Sequence, residues 1–105
     1  MAYAQRSGSA IAALADPTRR TVFESLRHGP RSVGDIAARV PVSRPAVSQH
    51  LRVLKGAGLV SDRRDGTRRL YSVDASGLEQ LRDYIEGFWD DTLAAFKAAA
   101  EKGDA

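Results

Sequence analysis

One face of a predicted helix near the middle of the chain is polar and carries no acid. Val47, Leu51 and Leu54 form the opposite, apolar face when each residue turns the helix by about 100°. The polar face consists of Pro45, Ser48, Gln49 and Arg52. Serine, glutamine and arginine side chains bond to base edges and phosphates, and such a helix fits the major groove of duplex DNA. This face therefore indicates binding to the bases and phosphates of a nucleic acid.

The start of the same helix supports this interpretation. Ser43 is a capping residue, and Arg44 follows it in the first turn, from which it reaches the DNA backbone. The free N–H groups at a helix N-terminus also favour a phosphate. His50 lies about 60° from Val47 on the helical wheel, at the border of the apolar face. It is interpreted as a packing residue or a phosphate contact rather than a reader of bases.

A second basic cluster surrounds a predicted hairpin turn. Asp65 and Gly66 form a dipeptide that favours a tight turn between two strand-like runs, 59–64 and 68–73. The cluster around this turn consists of Arg63, Arg64, Arg68 and Arg69. Two explanations remain open. These arginines bind DNA phosphates or the minor groove, or they pair with the acidic C-terminal part of the chain.

Charge is distributed unevenly along the 105 residues. The net charge is +3, yet residues 31–73 contain nine basic and three acidic side chains. From residue 74 onward there are eight acids and three bases. A basic middle beside an acidic end predicts that the contact with a polyanion is made by the middle segment.

Composition excludes several other kinds of chemistry. The chain has no cysteine, so disulfides, thiolate metal sites and cysteine nucleophiles are ruled out. The two histidines and the carboxylates form no catalytic constellation, and we expect neither an enzyme nor a cofactor. His28, just before a Gly-Pro pair, is interpreted as a histidine at the C-terminal end of a helix. No run is apolar enough for a membrane span and residues 1–9 lack the features of a signal peptide, so we expect a cytoplasmic protein.

Capping and turn signals predict four helices before the hairpin. Residues 9–15 form a short first helix, and Asp16 caps a second helix that ends near residue 27. Ser32 opens a short third helix with a sequence similar to a capping box. Ser43 opens the fourth helix, which ends at a glycine-rich turn.

The hairpin and a last helix over 75–101 complete the order α-α-α-α-β-β-α in a single domain over 1–105. Residues 32–56 then form a helix-turn-helix, and 59–73 form a β-hairpin wing. The predicted fold is a winged helix-turn-helix, mainly α-helical with one small hairpin.

The last helix carries a large apolar stripe. Its large apolar residues are three or four positions apart, a spacing that puts them on one side of the helix. They are Leu81, Ile85, Phe88, Trp89 and Phe96. Burying each large side chain contributes about 1.5–3 kcal/mol, and a small domain does not easily cover so long a helix. We therefore expect a homodimer. The alternatives are that the stripe packs only on its own domain, or that an aromatic cleft around Phe88 and Trp89 admits a small ligand.

The segment PVSRPAVSQHLRVLKGAGLV, residues 41–60, resembles the ArsR-type winged-helix repressors. LADPTRR at 14–20 and RDGTRRLY at 64–71 match other stretches of that family. The resemblance extends over about residues 10–93. The PVSRP opening and the tryptophan of the last helix resemble the subgroup that is often encoded beside START-like (SRPBCC) proteins.

This resemblance implies a homodimeric transcriptional repressor that binds an imperfect inverted repeat in double-stranded DNA. It implies that the major groove is contacted by Ser43, Arg44, Pro45, Ser48, Gln49 and His50. It implies that the wing presents Arg63, Arg64 and Arg68. It also implies dimerisation through the first helix, which carries Ile11 and Leu14, and through the last helix.

The chain departs from that family where many relatives bind metals. In that family the fourth helix is the recognition helix. Here the third helix, which precedes it, has no cysteine, and the last helix has no histidine. Asp83, Glu86 and Asp90 share a face, but carboxylates alone make a weak site for hard cations, and a solvated acidic face explains them. We therefore expect no transition-metal sensing. Pro41 stands in the turn where many relatives carry glycine, and its fixed φ predicts a differently shaped turn.

A second hypothesis for the function is a winged-helix domain that binds another protein through its last helix. Phosphate contacts make affinity fall steeply with salt. Salt dependence of duplex binding therefore separates the two hypotheses.

Overall fold

Seven elements follow one another in this computed structural model, which describes the backbone of residues 2–103 and the side chains of residues 8–103. The helices are α1 (Ala2–Ala15), α2 (Pro17–Glu24), α3 (Val33–Ala37), α4 (Arg44–Gly56) and α5 (Ala75–Gly103). The strands are β1 (Val60–Asp65) and β2 (Arg68–Val73), which pair antiparallel. The order α-α-α-α-β-β-α confirms the prediction of a mainly helical chain with one hairpin.

The first helix is longer than expected. It begins at Ala2 rather than at residue 9. Alanine, glutamine and arginine among residues 2–6 are strong helix formers, and their preference outweighs the cost of Gly8 inside the helix.

The second helix is shorter than expected and ends at Glu24. The chain then continues in tighter turns, in which Leu26 and Arg27 donate N–H bonds to the carbonyls three residues before them. His28 is exposed in this turn region, so it lies beyond α2 and not in its last turn.

Reciprocal capping closes the junction between α1 and α2. The Asp16 carboxylate accepts hydrogen bonds from the N–H groups of Thr18 and Arg19, at 2.9 and 3.0 Å, and so caps α2. In return the guanidinium groups of Arg19 and Arg20 donate to carbonyls in the last turn of α1. Cations at the C-terminal end of α1 also interact favourably with the helix dipole. The LADPTRR segment therefore has a structural task, which is to hold the two helices together.

The core lies among all five helices and the base of the hairpin. Its buried members are Ala10, Ala13, Val22, Leu26, Ile36, Val40, Val47, Leu51, Leu54, Leu59, Val60 and Leu81. The three residues of the predicted inner face of α4 are fully buried, as their spacing indicated. This burial fixes which side of α4 is left for solvent.

The turn between α3 and α4 has the different shape that Pro41 predicts. The N–H of Val42 donates to the carbonyl of Val40 at 2.9 Å, which closes a three-residue turn centred on Pro41. The central residue of an inverse γ-turn has φ near about −75°, a value that the proline ring favours. No residue of the turn needs the positive φ of a glycine.

The end of α4 is packed directly against the start of α5. Gly58 has φ of 80°, and the N–H groups of Gly58 and Leu59 donate back to the carbonyls of Lys55 and Leu54 in a Schellman motif. A Cβ atom placed on Gly77 of α5 would lie 1.7 Å from the Gly58 carbonyl oxygen. The two backbones are therefore in contact with no side chain between them.

Beyond Leu81, α5 leaves the core. All its side chains from residue 85 to residue 103 are exposed. The helix has 29 residues, and the molecule is 67 Å long in its greatest dimension. No helix in the described part of the chain combines the length and apolar character that a membrane crossing requires.

Candidate nucleic-acid interface

The helix pair α3 and α4 is held by its caps and by the core. The Ser32 hydroxyl accepts a hydrogen bond from the N–H of Asp35 at 3.2 Å, and the Ser43 hydroxyl accepts one from Ala46 at 3.3 Å. Both helices therefore start at the predicted capping residues. Because Ile36 of α3 is fully buried like the inner face of α4, the pair cannot rotate without opening the core.

The outer face of α4 is available to a ligand. Pro45, Gln49 and Arg52 are exposed, and Ser48 is half-buried. These are the side chains that the helical wheel placed opposite the core. Their chemistry, an amide, a hydroxyl and a guanidinium, suits base edges and phosphates.

Arg44 extends from the start of α4 over α3. A Cβ atom on Gly34 would approach its guanidinium to 3.3 Å, so the absence of a side chain at Gly34 leaves room for it. A groove of about 490 Å³ lies between α3, the start of α4 and the hairpin. Arg44 and Arg68 are both among the residues that line it. The recognition helix and the hairpin thus contribute cations to one shared groove.

His50 does not belong to the outer face. It is half-buried, and its Nδ1 atom is buried without a hydrogen-bond partner among the described residues. The pKa of the Asp16 carboxyl lies below its usual value, mainly because the N–H of Arg19 donates to it, with a smaller effect from the charge of His50. His50 therefore lies towards α2. The interpretation as a packing residue describes it better than the major-groove position implied by the family resemblance.

The tip of the hairpin is a ribbon of exposed arginines. Gly66, with φ of 65°, forms the turn, and Asp65 faces Arg68 across it. Arg63, Arg64 and Arg68 are all exposed. Arg68 lies 3.9 Å from both Asp35 and Asp65, and such exposed pairs contribute little and exchange readily for other anions.

The acidic C-terminal helix does not neutralise these arginines. Within residues 8–103 the ion pairs of this helix join Arg82 to Glu79, Asp83 and Glu86 of the same helix, at 3.6 to 3.8 Å. None of the four hairpin arginines forms an ion pair with α5 in that part of the chain. Pairing with the acidic end, which the sequence left open, is therefore wrong for the described residues.

Asp62 is a site residue that sequence reasoning missed. Its carboxylate lies 2.6 Å from the Nζ of Lys55 on α4 and 2.6 Å from Nη1 of Arg69 on β2. The Asp62 side chain is only 6% exposed. Hydrogen bonds from Lys55 and, secondly, from Arg69 hold its pKa below the usual value. In the sequence, Asp62 stands out only as an acid inside a basic segment.

Arg31 lies in the basic segment but has a structural role. Its backbone forms two hydrogen bonds with Tyr71, at 2.9 and 2.8 Å, and so extends the edge of β2. Its Nε donates to the carbonyl of Ser25 at 2.7 Å, in the turn that follows α2. The base of the hairpin is thereby tied to the body of the domain.

The apolar stripe on α5 is open to solvent. The exposed fractions are 54% for Ile85, 60% for both Phe88 and Trp89, and 74% for Phe96. Ile11 on α1 is also exposed. The alternative that this stripe packs only on its own domain is wrong for these residues, because α5 extends beyond the core.

Two residues assigned to the dimer interface contribute to the subunit's own core. Leu81 is buried, and Leu14 is half-buried against the same core. α1 packs on α5 within one chain, and the side chains of α5 that are all exposed begin at residue 85. As for metals, no three histidine or carboxylate side chains gather into a possible site within the described range.

Comparisons with known proteins agree with this geometry. The model of the bacterial regulatory protein family arsR matches residues 16–62. The HTH-type transcriptional regulator Rv2034 of Mycobacterium tuberculosis is 56% identical over 84 residues, which cover 80% of this chain and 78% of that protein. The transcriptional repressor SdpR of Bacillus subtilis is 37% identical over 76 residues, 72% of this chain and 84% of that protein.

A solved structure has the same fold. It is the homodimeric winged helix-turn-helix DNA-binding domain of a Mycobacterium bovis protein, with a TM-score of 0.69 and 29% identity. The match covers 88% of this chain and 85% of that one. With its polar recognition helix, its arginine wing and these relatives, the chain belongs to the arsR family of bacterial regulatory proteins, which are DNA-binding transcriptional regulators and not enzymes.

Proposed function

We propose that this chain is a homodimeric transcriptional repressor that binds an inverted-repeat operator in duplex DNA. The observation that carries the proposal is the groove shared by Arg44 and Arg68. The groove is lined by Arg44 from the first turn of α4, by Arg68 and Arg69 of the hairpin and by one acid, Asp35, so the helix and the hairpin share a mainly basic groove. A helix in the major groove with a wing along the backbone uses such a surface in full. The repressor role is further supported by the name of the Bacillus subtilis relative.

The homodimer is supported by the exposed stripe on α5. Four large side chains that are more than half exposed, together with Ile11, form an apolar surface that costs free energy in water. The related Mycobacterium bovis domain is homodimeric. A two-fold axis repeats the recognition helix, and a repeated helix matches an inverted repeat.

We infer that the regulator does not sense transition metals. The sequence has no cysteine, and α5 has no histidine. The acids Asp83 and Glu86 lie beside Arg82, whose positive charge disfavours a metal cation at that face. The similarity of the PVSRP segment to the subgroup encoded beside START-like proteins favours placement there. Because bacterial DNA lies in the cytoplasm, we propose that the protein acts there.

Selection of bound duplexes from a random library, read by sequencing, tests the function. We expect an inverted repeat whose two halves are about one helical turn apart, or a multiple of it. Gln49→Ala should relax the preference at particular base pairs, with a loss of about 1–3 kcal/mol for the selected site. Ser61 is exposed on β1 and offers the matched control Ser61→Ala, which should leave the preference unchanged.

Two results would count against the proposal. Enrichment of no sequence, with no salt-dependent binding to any duplex, would favour a protein-binding winged helix. A selected site without two-fold symmetry would contradict the dimeric reading of DNA.

A further inference from the structure

The hairpin is fastened to the recognition helix by a buried carboxylate. Asp62 of β1 lies between Lys55, in the last turn of α4, and Arg69 of β2. Both distances are 2.6 Å, and the carboxylate is almost fully buried while both cations are more than half exposed. One acid therefore links the helix to both strands of the hairpin.

Asp62 is also one of the last points at which the hairpin is held. All residues from 63 to 69 are exposed, and Leu70 on β2 is the next buried side chain. An isolated two-stranded ribbon is marginally stable in water. The direction of the arginine tip therefore depends on Asp62 and Leu70, with a weaker link from Arg68 to Asp35 of α3, an exposed pair at 3.9 Å. Among these residues Asp62 alone reaches α4, through its ion pair with Lys55.

We propose that Asp62 is a positioning residue, which fixes the wing relative to the recognition helix so that both contact DNA in one geometry. The proposal rests on the proposed function, because it concerns how the DNA is read. Asp62 itself need not touch DNA. It acts through Lys55 and Arg69.

The direction in which one substitution changes DNA affinity separates a positioning role from a simple effect of charge. An acid within a basic surface repels phosphates, so its removal should tighten binding to every duplex if charge alone matters. Positioning predicts the opposite for the specific site. Without the carboxylate the wing is no longer held in place, and operator binding should weaken while non-specific binding does not.

The experiment compares Asp62→Asn with the matched variant Asp65→Asn. Both remove one negative charge from β1, but Asp65 is exposed at the turn, and the one cation that it pairs with among residues 8–103 is Arg68, at 3.9 Å. Dissociation constants are measured for the selected operator and for a scrambled duplex of equal length. We expect Asp62→Asn to lower the ratio of specific to non-specific affinity by about tenfold, the loss of one good contact. Asp65→Asn should keep that ratio.

A second measurement needs no DNA. Amide ¹⁵N relaxation of Arg64 and Gly66 reports the motion of the wing tip in the chain of 105 residues. Rigid backbone has an order parameter of about 0.85. We expect Asp62→Asn to lower the order parameters of the wing tip towards about 0.6, and Asp65→Asn to leave them unchanged. Should Asp62→Asn unfold at the assay temperature, Lys55→Gln breaks only the helix side of the link and should loosen the tip in the same way.

The outcomes are distinct. Equal or tighter operator binding by Asp62→Asn with an unchanged ratio would overturn the positioning role, as would an equally rigid wing tip. If the unsubstituted protein selects no duplex, the proposed function fails. The relaxation measurement then still decides whether Asp62 holds the wing.

Discussion

Gly77 packs on Gly58 so closely that a Cβ atom at Gly77 would lie 1.7 Å from the Gly58 carbonyl oxygen and 2.6 Å from its carbonyl carbon. Since the obstacle is backbone, no side-chain rotation relieves it. We expect Gly77→Ala to lower the free energy of unfolding by at least about 1–3 kcal/mol, the usual cost of overpacking. Urea unfolding at fixed protein concentration measures this change.

Gly87 provides the control for that prediction. It lies in the same helix, and a methyl group added to it would meet no side chain and no other segment of the chain within 4 Å. Gly87→Ala should stabilise the protein by up to about 1 kcal/mol, since alanine is the better helix former. Equal effects of the two substitutions would contradict the close packing of α5 on the end of α4.

Loss of the exposed stripe on α5 should separate the subunits. Trp89→Glu places a charge among side chains that are more than half exposed in one chain, and we expect a monomer in sedimentation at micromolar concentration. Operator affinity should fall by at least about tenfold, because one half-site is then bound alone. Ala94→Glu adds the same charge about 140° from Trp89 around the helix, outside the apolar stripe, and should leave the dimer intact.

The exposed arginines of the wing should set the salt dependence of binding. Arg64→Ala removes one cation at the hairpin tip, and the slope of log affinity against log salt should fall by about 1. Arg82→Ala removes the same charge from α5, where Arg82 pairs with three acids. It should leave the slope unchanged. A slope that responds equally to both would indicate that the wing does not contact phosphates.

Acid should destabilise the fold. Hydrogen bonds from Lys55 lower the pKa of Asp62, and those from Ser76 lower the pKa of Asp74. A carboxyl with a lowered folded-state pKa contributes stability above its unfolded pKa of about 3.9, and this contribution is lost as the pH falls through the folded-state pKa. The free energy of unfolding should therefore decrease below about pH 4.

That decrease should be smaller in Asp62→Asn than in the unsubstituted chain, and unfolding measured at several pH values tests both statements. If the pH profile of the variant is unchanged, the ion pairs of Asp62 with its two cations do not contribute to the stability of the fold.

Much of the fold followed from local signals. Ser32 and Ser43 begin their helices as capping chemistry predicts, and Gly58 ends α4 with the positive φ that glycine tolerates. The inner face of α4 followed from a spacing that only a helix creates. These features depend on neighbours within a few residues, which a sequence displays directly.

Apart from the ends of α1 and α2, the errors concern contacts between distant residues. Leu81 has the same type and spacing as Ile85, yet one is buried in the subunit and the other is exposed. The difference depends on where α1 stops covering α5. The partnership of Asp62 with Lys55 depends in turn on how the hairpin folds back on α4. Sequence spacing alone contains neither piece of information.

The contact between Gly58 and Gly77 also constrains protein engineering. A chimera that joins this DNA-reading segment to the dimerisation helix of another regulator must keep a residue without a side chain in the first turn of that helix. Otherwise the graft must be made beyond residue 81, where α5 has left the core. Exchange of the helix after that point should change the choice of partner subunit while the reading surface stays intact.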